Sequence, residues 1–338
     1  MSLMSDRACE VAPAREPPRS PVKLVVYKAL NNRLVEAVIV AAIAACFLAT
    51  TVLDGIFGTR LERGFIDRLR DVSRDRLSRL RKAQIKYVFR CKYGLKKIRI
   101  RLAGGSYWLS IPCVVEGKKD GKYCRYMAKI INDASAIKHR YMTMLRNLGV
   151  LAGAAEMHFD EYADAEDMVN FERYCLTRIR EQSLNAPSVI GIHRLNREDY
   201  MLVTEFIEGR PLSEVPLGGS EIDQIFGIIK TMHDHEFVHG DVKLDNFLAS
   251  RDKVYVVDCL KVGGTRLAAA KAFDVICALC ALSQKAPVST VMAHARKYFS
   301  SDDLLEAGAM LEVALSKADI DLPPDRAREL RRALGNAA

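Results

Sequence analysis

The sequence predicts an α+β fold preceded by a transmembrane or membrane-associated helix. Three observations carry that expectation. Between residues 93 and 131, short runs alternate apolar and polar side chains and are broken by Gly-containing turns, the pattern of antiparallel strands. From residue 135 the apolar spacing becomes mostly helical. Ahead of both, "AVIVAAIAACFLATTVL", Ala37 to Leu53, contains no charge. The 338 residues, 49% hydrophobic and 28% charged, describe a globular chain with ample length for a core.

A polar, Pro-containing tail, 1–33, comes first and makes a cleaved signal peptide a poor fit. The apolar segment extended to 34–57 is long enough to span a bilayer whose hydrocarbon core is roughly 30 Å thick. A buried or interfacial helix is the other reading. The region 58–92 then concentrates the basicity: Arg60 to Arg101 holds 16 Lys/Arg against 4 Asp/Glu in a chain of net charge +9. Within it, residues 59–84 read as an amphipathic helix. Thr59 and Glu62 form a capping-box pattern, and Leu61, Phe65, Leu69, Val72 and Leu80 lie mainly on one side. Such a helix after a spanning segment is expected on an anionic cytoplasmic membrane surface. A solvated helix or coiled-coil partner is the lesser alternative. Nucleic acid is the weaker partner, because no aromatic-rich strand motif or zinc spacing accompanies the charge.

The strands follow: "KKIRIRL", "YWLSIPCVVEG" and "YCRYMAKIIN" form a meander, with Gly104–Gly105 and Asp120–Gly121 at the turns. Helical patterns cover 135–149 and 165–182, the second ending before Asn185 and Pro187. "SVIGIHRL" and "YMLVTEFIEG" add two strands, completing a sheet of about five. A helix over 220–236 leads into "FVHGDVKLDNF", residues 237–247, and "KVYVVDCL" is a strand ending in Asp258. Residues 302–338 read as two helices with no role beyond packing. Nine scattered cysteines suggest a reducing compartment, and Cys277 and Cys280 in "FDVICALCALS" read as buried helical thiols rather than zinc ligands.

The irregular stretch 237–247 gathers a His, two Asp, a Lys and an Asn. With its surroundings it resembles the protein-kinase-like superfamily. "HGDVKLDNF" looks like the catalytic loop, "VVDCL" like the strand-end D-F-G motif and "YMAK" like the third-strand V-A-I-K, in the right order from about 93 to 283. The resemblance implies a two-lobed fold, with an N-lobe over 93–204, a hinge and C-lobe over 205–301 and the terminal helices packed on that lobe. It implies ATP and Mg²⁺ as cofactors. Asp241 would receive the acceptor hydroxyl's proton, Lys243 would touch the transferred phosphate, and Asn246 with Asp258 would supply oxygen ligands to Mg²⁺. Lys129 would hold the α/β-phosphates with Glu172 as its ion-pair partner, and Glu161, Glu166 and Glu181 are rivals for that place. Gly104 and Gly105 would approach the phosphates. The backbone at Glu205 and Ile207 would meet adenine, with Ala128 and Leu248 among the nucleotide-binding residues. His239 is expected to pack and hydrogen-bond, and Asp274 to anchor the loop.

Departures narrow the type. Gly240 stands where many regulated kinases have arginine, Cys259 and Leu260 replace Phe and Gly, no A-P-E follows, and the full G-x-G-x-x-G is missing. The H-G-D form resembles Rio-type kinases, the KEOPS-complex kinase and the lipopolysaccharide core heptose kinases. The implied function is a single-pass, membrane-anchored phosphotransferase with its kinase domain in the cytoplasm. Its acceptor would be a protein Ser/Thr hydroxyl or a membrane-linked sugar or lipid. A catalytically weak pseudokinase, acting as a membrane-tethered nucleotide-binding scaffold, is the alternative.

Overall fold

The structure, a computed structural model, describes residues 77–103, 109–152, 157–262, 267–315, 317 and 319–335, together with Ala42, Ala45 and Ala49. The chain divides into two units, residues 1–61 and 62–338. Of the first, only the three alanines are described, each helical and exposed. The expectation of a single-pass membrane protein is corrected here: among the described residues no helix is long and apolar enough to cross a membrane. The remainder of the apolar segment 34–57 lies outside the described residues.

The second unit opens with α1, Arg79–Tyr93, whose N-cap Ser78 accepts a hydrogen bond from the Arg81 amide at 3.1 Å. The amphipathic helix expected over 59–84 is therefore displaced at its visible end. Leu77 and Ser78 are not helical, Leu80 is exposed, and the buried stripe is Ile85 and Phe89, one turn apart. These two pack with Leu95 against Cys113, Val115, Ala128, Ile130, Met201 and Val203. Full burial of each large side chain contributes about 1.5–3 kcal/mol. Arg81 adds a two-pronged bond to Asp199, Nε and Nη2 each 2.8 Å from a carboxylate oxygen. Part of the basic block is thus structural and belongs to the sheet, not to a free juxtamembrane helix.

That sheet has five antiparallel strands in the order β1-β2-β3-β5-β4: β1 Lys96–Leu102, β2 Ile111–Lys119, β3 Lys122–Asn132, β4 Val189–Arg194 and β5 Asp199–Glu205. Successive strand residues point to opposite faces. Met201 and Val203 face α1, whereas Leu202 and Ile131 face the other core. Between β3 and β4 stand two helices, α2 (Asp133–Ala152) and α3 (Ala165–Glu181). Asp164 caps α3 by accepting from the Asp167 amide at 2.9 Å.

Beyond β5 the chain turns through β6 (Arg210–Pro211) and α4 (Gly219–Asp234) to a small antiparallel sheet of β6, β7 (Phe247–Ser250) and β8 (Lys253–Val256). The strand expected to end at Asp258 stops at Val256. The helix α5, Leu267–Ser283, is buried along almost its whole length, with Cys277 and Cys280 as free buried thiols. Around it lie α6 (Val288–Ala295), α7 (Ser301–Ala309), α8 (Leu311–Leu315) and α9 (Pro324–Gly335). The helix expected over 302–318 is broken at Met310, which caps α7. The fold is α+β, a sheet-bearing lobe joined to a helical one.

Candidate active site

Strand alternation places Lys129 on the face of β3 that looks toward α3. There its Nζ lies 2.9 Å from Glu172 Oε1 and 3.3 Å from Asp258 Oδ2. Of the candidate glutamates, Glu172 is the one at Lys129: Glu161 pairs with Arg140, Glu181 with Arg178, and Glu166 accepts from Tyr200. One ammonium cannot satisfy two carboxylates. Burial first, and then the Asp258 charge, push Glu172 up to about 7 against the pull of Lys129. Burial would lower Lys129, and Asp258 and Glu172 together raise it instead.

The same alternation corrects one expectation. Ala128 is fully buried on the opposite face, under α1, and Met127 shares the side of Lys129. Gly104 and Gly105 lie outside the described residues. Glu205, exposed at the end of β5, sits opposite Tyr126 and donates its amide to Ser188 O at 2.9 Å. Ile207 is half-buried and its carbonyl accepts from Gly209 at 3.1 Å. Leu248, also half-buried, pairs across β7 with Pro211 and Tyr255.

The catalytic-loop stretch is held from beneath. Asp274 of α5, 1% exposed, accepts the His239 amide at 2.6 Å on Oδ2 and the Gly240 amide at 2.9 Å on Oδ1, with His233 Nε2 also 3.2 Å from Oδ2. Gly240 has φ +75°, and a Cβ there would meet Val262 Cγ2 at 2.7 Å and Leu260 O at 3.0 Å. Only glycine fits a left-handed residue pressed on that neighbour, which is the physical reason for H-G-D here. The Leu260 amide donates to His239 O at 2.9 Å and ties the two motifs together. His239 Nδ1 accepts the Asp241 amide at 3.3 Å, so the ring proton sits on Nε2, and burial lowers its pKa. It is a packed, neutral histidine.

Asp241, 5% exposed, is the centre of the loop. Asn246, at the end of the 3₁₀ turn Leu244–Asn246, donates Nδ2 to Asp241 O at 2.8 Å and to its Oδ2 at 3.1 Å. Lys243 Nζ lies 3.0 Å from Oδ2, and Lys317 Nζ lies 3.1 Å from Oδ1. Asp319 Oδ2 approaches Lys243 at 3.7 Å. Burial alone would raise the Asp241 carboxyl, but Lys243, Lys317 and Arg146 outweigh it and hold it well below the usual carboxylate range. Asp241 is a firmly ionised carboxylate. Lys317 and Asp319 come from the C-terminal segment for which the sequence suggested only packing. No motif marked them, and Lys317 fell inside the helix expected over 302–318.

The donors fit a hard divalent cation. With the Asn246 amide nitrogen committed to Asp241, its Oδ1 remains as an acceptor, and the Asp258 side chain is 44% exposed. Among the described residues no group of three or more His, Cys, Asp or Glu forms a metal cluster of its own. Two protein oxygens completed by phosphate and water oxygens suit Mg²⁺, which keeps much of its shell.

Residues 178–280, less than a third of the chain, match the family model described as lipopolysaccharide core biosynthesis protein (WaaY). The match takes in Glu205, His239 to Asp241, Asn246 and Asp258 and excludes Lys129, Glu172 and Lys317. A crystal structure described as a fructosamine-3-kinase from Haemophilus somnus 129PT is similar at TM-score 0.36 and 10% identity, covering 75% of this chain and 96% of that one. That likeness is too loose to bear on function. No curated protein matches the sequence. The arrangement of Lys129, Glu172, Asp241, Asn246 and Asp258 is similar to that of the protein-kinase-like superfamily in its H-G-D form.

Proposed function

We propose that the chain transfers the γ-phosphate of ATP to a sugar hydroxyl of the kind found in lipopolysaccharide core. The observation that carries the reading is Asp241, an ionised carboxylate fixed by Asn246 at 2.8 and 3.1 Å beside Lys243. In this reading the acceptor hydroxyl gives its proton to Asp241 as its oxygen bonds to the γ-phosphorus. The bond to the β-bridging oxygen breaks, and ADP leaves. Lys243 draws the transferring phosphoryl oxygens. Lys129, braced by Glu172, holds the α/β-phosphates. The backbone at Glu205 and Ile207 and the side chain of Leu248 receive the adenine. Asn246 and Asp258 would hold Mg²⁺, which when bound neutralises phosphate charge.

A sugar is favoured over a protein Ser/Thr for two reasons. The family match points to a lipopolysaccharide core biosynthesis protein. Residues 259–266 are all that separate Asp258 from α5, which leaves little platform for an extended peptide. The test is transfer from γ-labelled ATP to core oligosaccharide and to protein, comparing wild type with Asp241→Asn. Label in sugar that depends on Asp241 is the expected result. Asp241-dependent label in Ser or Thr would replace the sugar reading, and ATP binding with no dependent label would make the chain a pseudokinase.

A further inference from the structure

Asp241 has more cations around it than one carboxylate needs. Lys243 already pairs with Oδ2 at 3.0 Å, yet Lys317 occupies Oδ1 at 3.1 Å with its side chain only 9% exposed. Lys317 also lies 5.5 Å from the centre of the Phe273 ring, so it is held by packing as well as by charge. A third cation, Arg146 of α2, is close enough to act electrostatically on Asp241, Lys243 and Lys317 alike. Its Nη1 is buried and has no hydrogen-bond partner among the described residues. An unpaired buried guanidinium nitrogen is costly unless a ligand completes it.

The elements that supply these groups are neighbours. The helix α2, inserted between β3 and α3, touches α8, which leads directly to Lys317. Asn147, next to Arg146, clamps the Phe159 backbone in both directions, at 3.0 and 2.8 Å, and fixes that end of α2. Lys243 and Asn246, both from the loop itself, share Asp241 Oδ2, whereas Lys317 sits on Oδ1. The additional cation is therefore on the carboxylate oxygen that the loop leaves open, the one an incoming acceptor would meet.

We propose that Lys317 and Arg146, with Lys243, form an anion subsite on the acceptor side of Asp241, so that the acceptor presents a phosphoryl group beside the hydroxyl it uses. The inference rests on the phosphotransfer reading. A phosphoryl group carries about −1.5 to −2 charge and three acceptor oxygens, which three converging cations match better than a carboxylate would. Binding it draws Lys317 off Asp241 Oδ1 and frees that oxygen for the incoming hydroxyl. Lys317 thus serves as a specificity-determining residue and frees the base only when the correct acceptor is in place.

The test titrates inorganic phosphate, with acetate as the control anion, into the full chain already saturated with Mg²⁺ and a non-hydrolysable ATP analogue, which fills the γ-phosphate position. Calorimetry should show phosphate binding preferred over acetate, weakened about tenfold or more in Lys317→Met and in Arg146→Met. Lys317→Arg should retain it. Thermal melts of each variant separate loss of binding from loss of fold, and if Lys317→Met fails to fold, Arg146→Met with the Lys317→Arg control decides. Equal phosphate binding in wild type and a folded Lys317→Met would overturn the subsite. So would phosphate binding that appears with ADP and vanishes with the ATP analogue, because the anion would then occupy the γ-position. Failure of the analogue itself to bind would strike the kinase reading, independently of phosphate binding to nucleotide-free protein.

Discussion

Two charge clusters, one in the proposed nucleotide site and one in the proposed acceptor site, have balances that differ in sign. On the nucleotide side one ammonium, Lys129, meets two carboxylates, Glu172 and Asp258, and the Asp258 side chain is 44% exposed. On the acceptor side Lys243, Lys317 and Arg146 surround Asp241, whose side chain is 8% exposed, with Asp319 as the further acid. The first cluster lacks positive charge and is open, which suits a divalent cation arriving with nucleotide. The second lacks negative charge and is nearly dry, which suits an anion. The local excess of charge, more than any single residue, indicates what each half of the cleft is built to receive.

The largest expected effect breaks the acceptor cluster. Asp241→Asn should lower the transfer rate about 10²–10⁴-fold while nucleotide affinity stays near wild type; a parallel loss of nucleotide binding would show that the two clusters are not separable. Lys129→Met should do the reverse on the other side, costing about 10²–10³-fold in transfer and weakening nucleotide binding as well. Single-turnover rates and equilibrium binding on the same preparations check both.

The scaffold beneath the loop comes next. Asp274→Ala strands the His239 and Gly240 amides and should destabilise the fold by about 3 kcal/mol in urea unfolding. Gly240→Ala places a Cβ against Val262 in a left-handed residue and should cost about 1–2 kcal/mol.

The smallest effect gives the two clusters opposite pH slopes. The Glu172 pKa is raised on folding from 4.5 to about 7. Its contribution to the stability of the nucleotide-free protein is therefore full below about 4.5 and lost as pH rises through 7. Asp241 is depressed below its ordinary value of 3.8, so its contribution is present above that value and lost as pH falls through the lower folded pKa. Urea midpoints across this range should show Glu172→Gln removing the neutral-pH decline while leaving the acid limb. A decline that persists in Glu172→Gln would assign it elsewhere.

Several of these features were readable from the residues alone. "HGDVKLDNF" carries its own turn chemistry, and Asn246 reaches Asp241 across five positions, a distance that local backbone geometry fixes. Lys129 was legible as a strand lysine, and packing singled out Glu172 from its rivals Glu161, Glu166 and Glu181. The misplacement of Ala128 was avoidable, since a period of two already assigns it to the face opposite Lys129. The position of α1 was less accessible, because the apolar stripe of 61–80 outweighed Ile85 and Phe89 until the sheet supplied a surface for them to cover. A single-pass anchor read from 34–57 finds no spanning helix among the described residues.

The sequence by itself determined the irregular loop 237–247, most of the order of strands and helices, and the carboxylate at the loop's centre. The tertiary structure alone decided that Lys317, 76 residues away from Asp241, occupies its second oxygen, and that Arg146 of α2 comes near enough for its charge to act on the same carboxylate. The physical reason is range. Turns, caps and strand faces follow from dihedral preferences a few residues long, whereas a charge pair between distant segments exists only after a whole core has packed and brought both ends to one point.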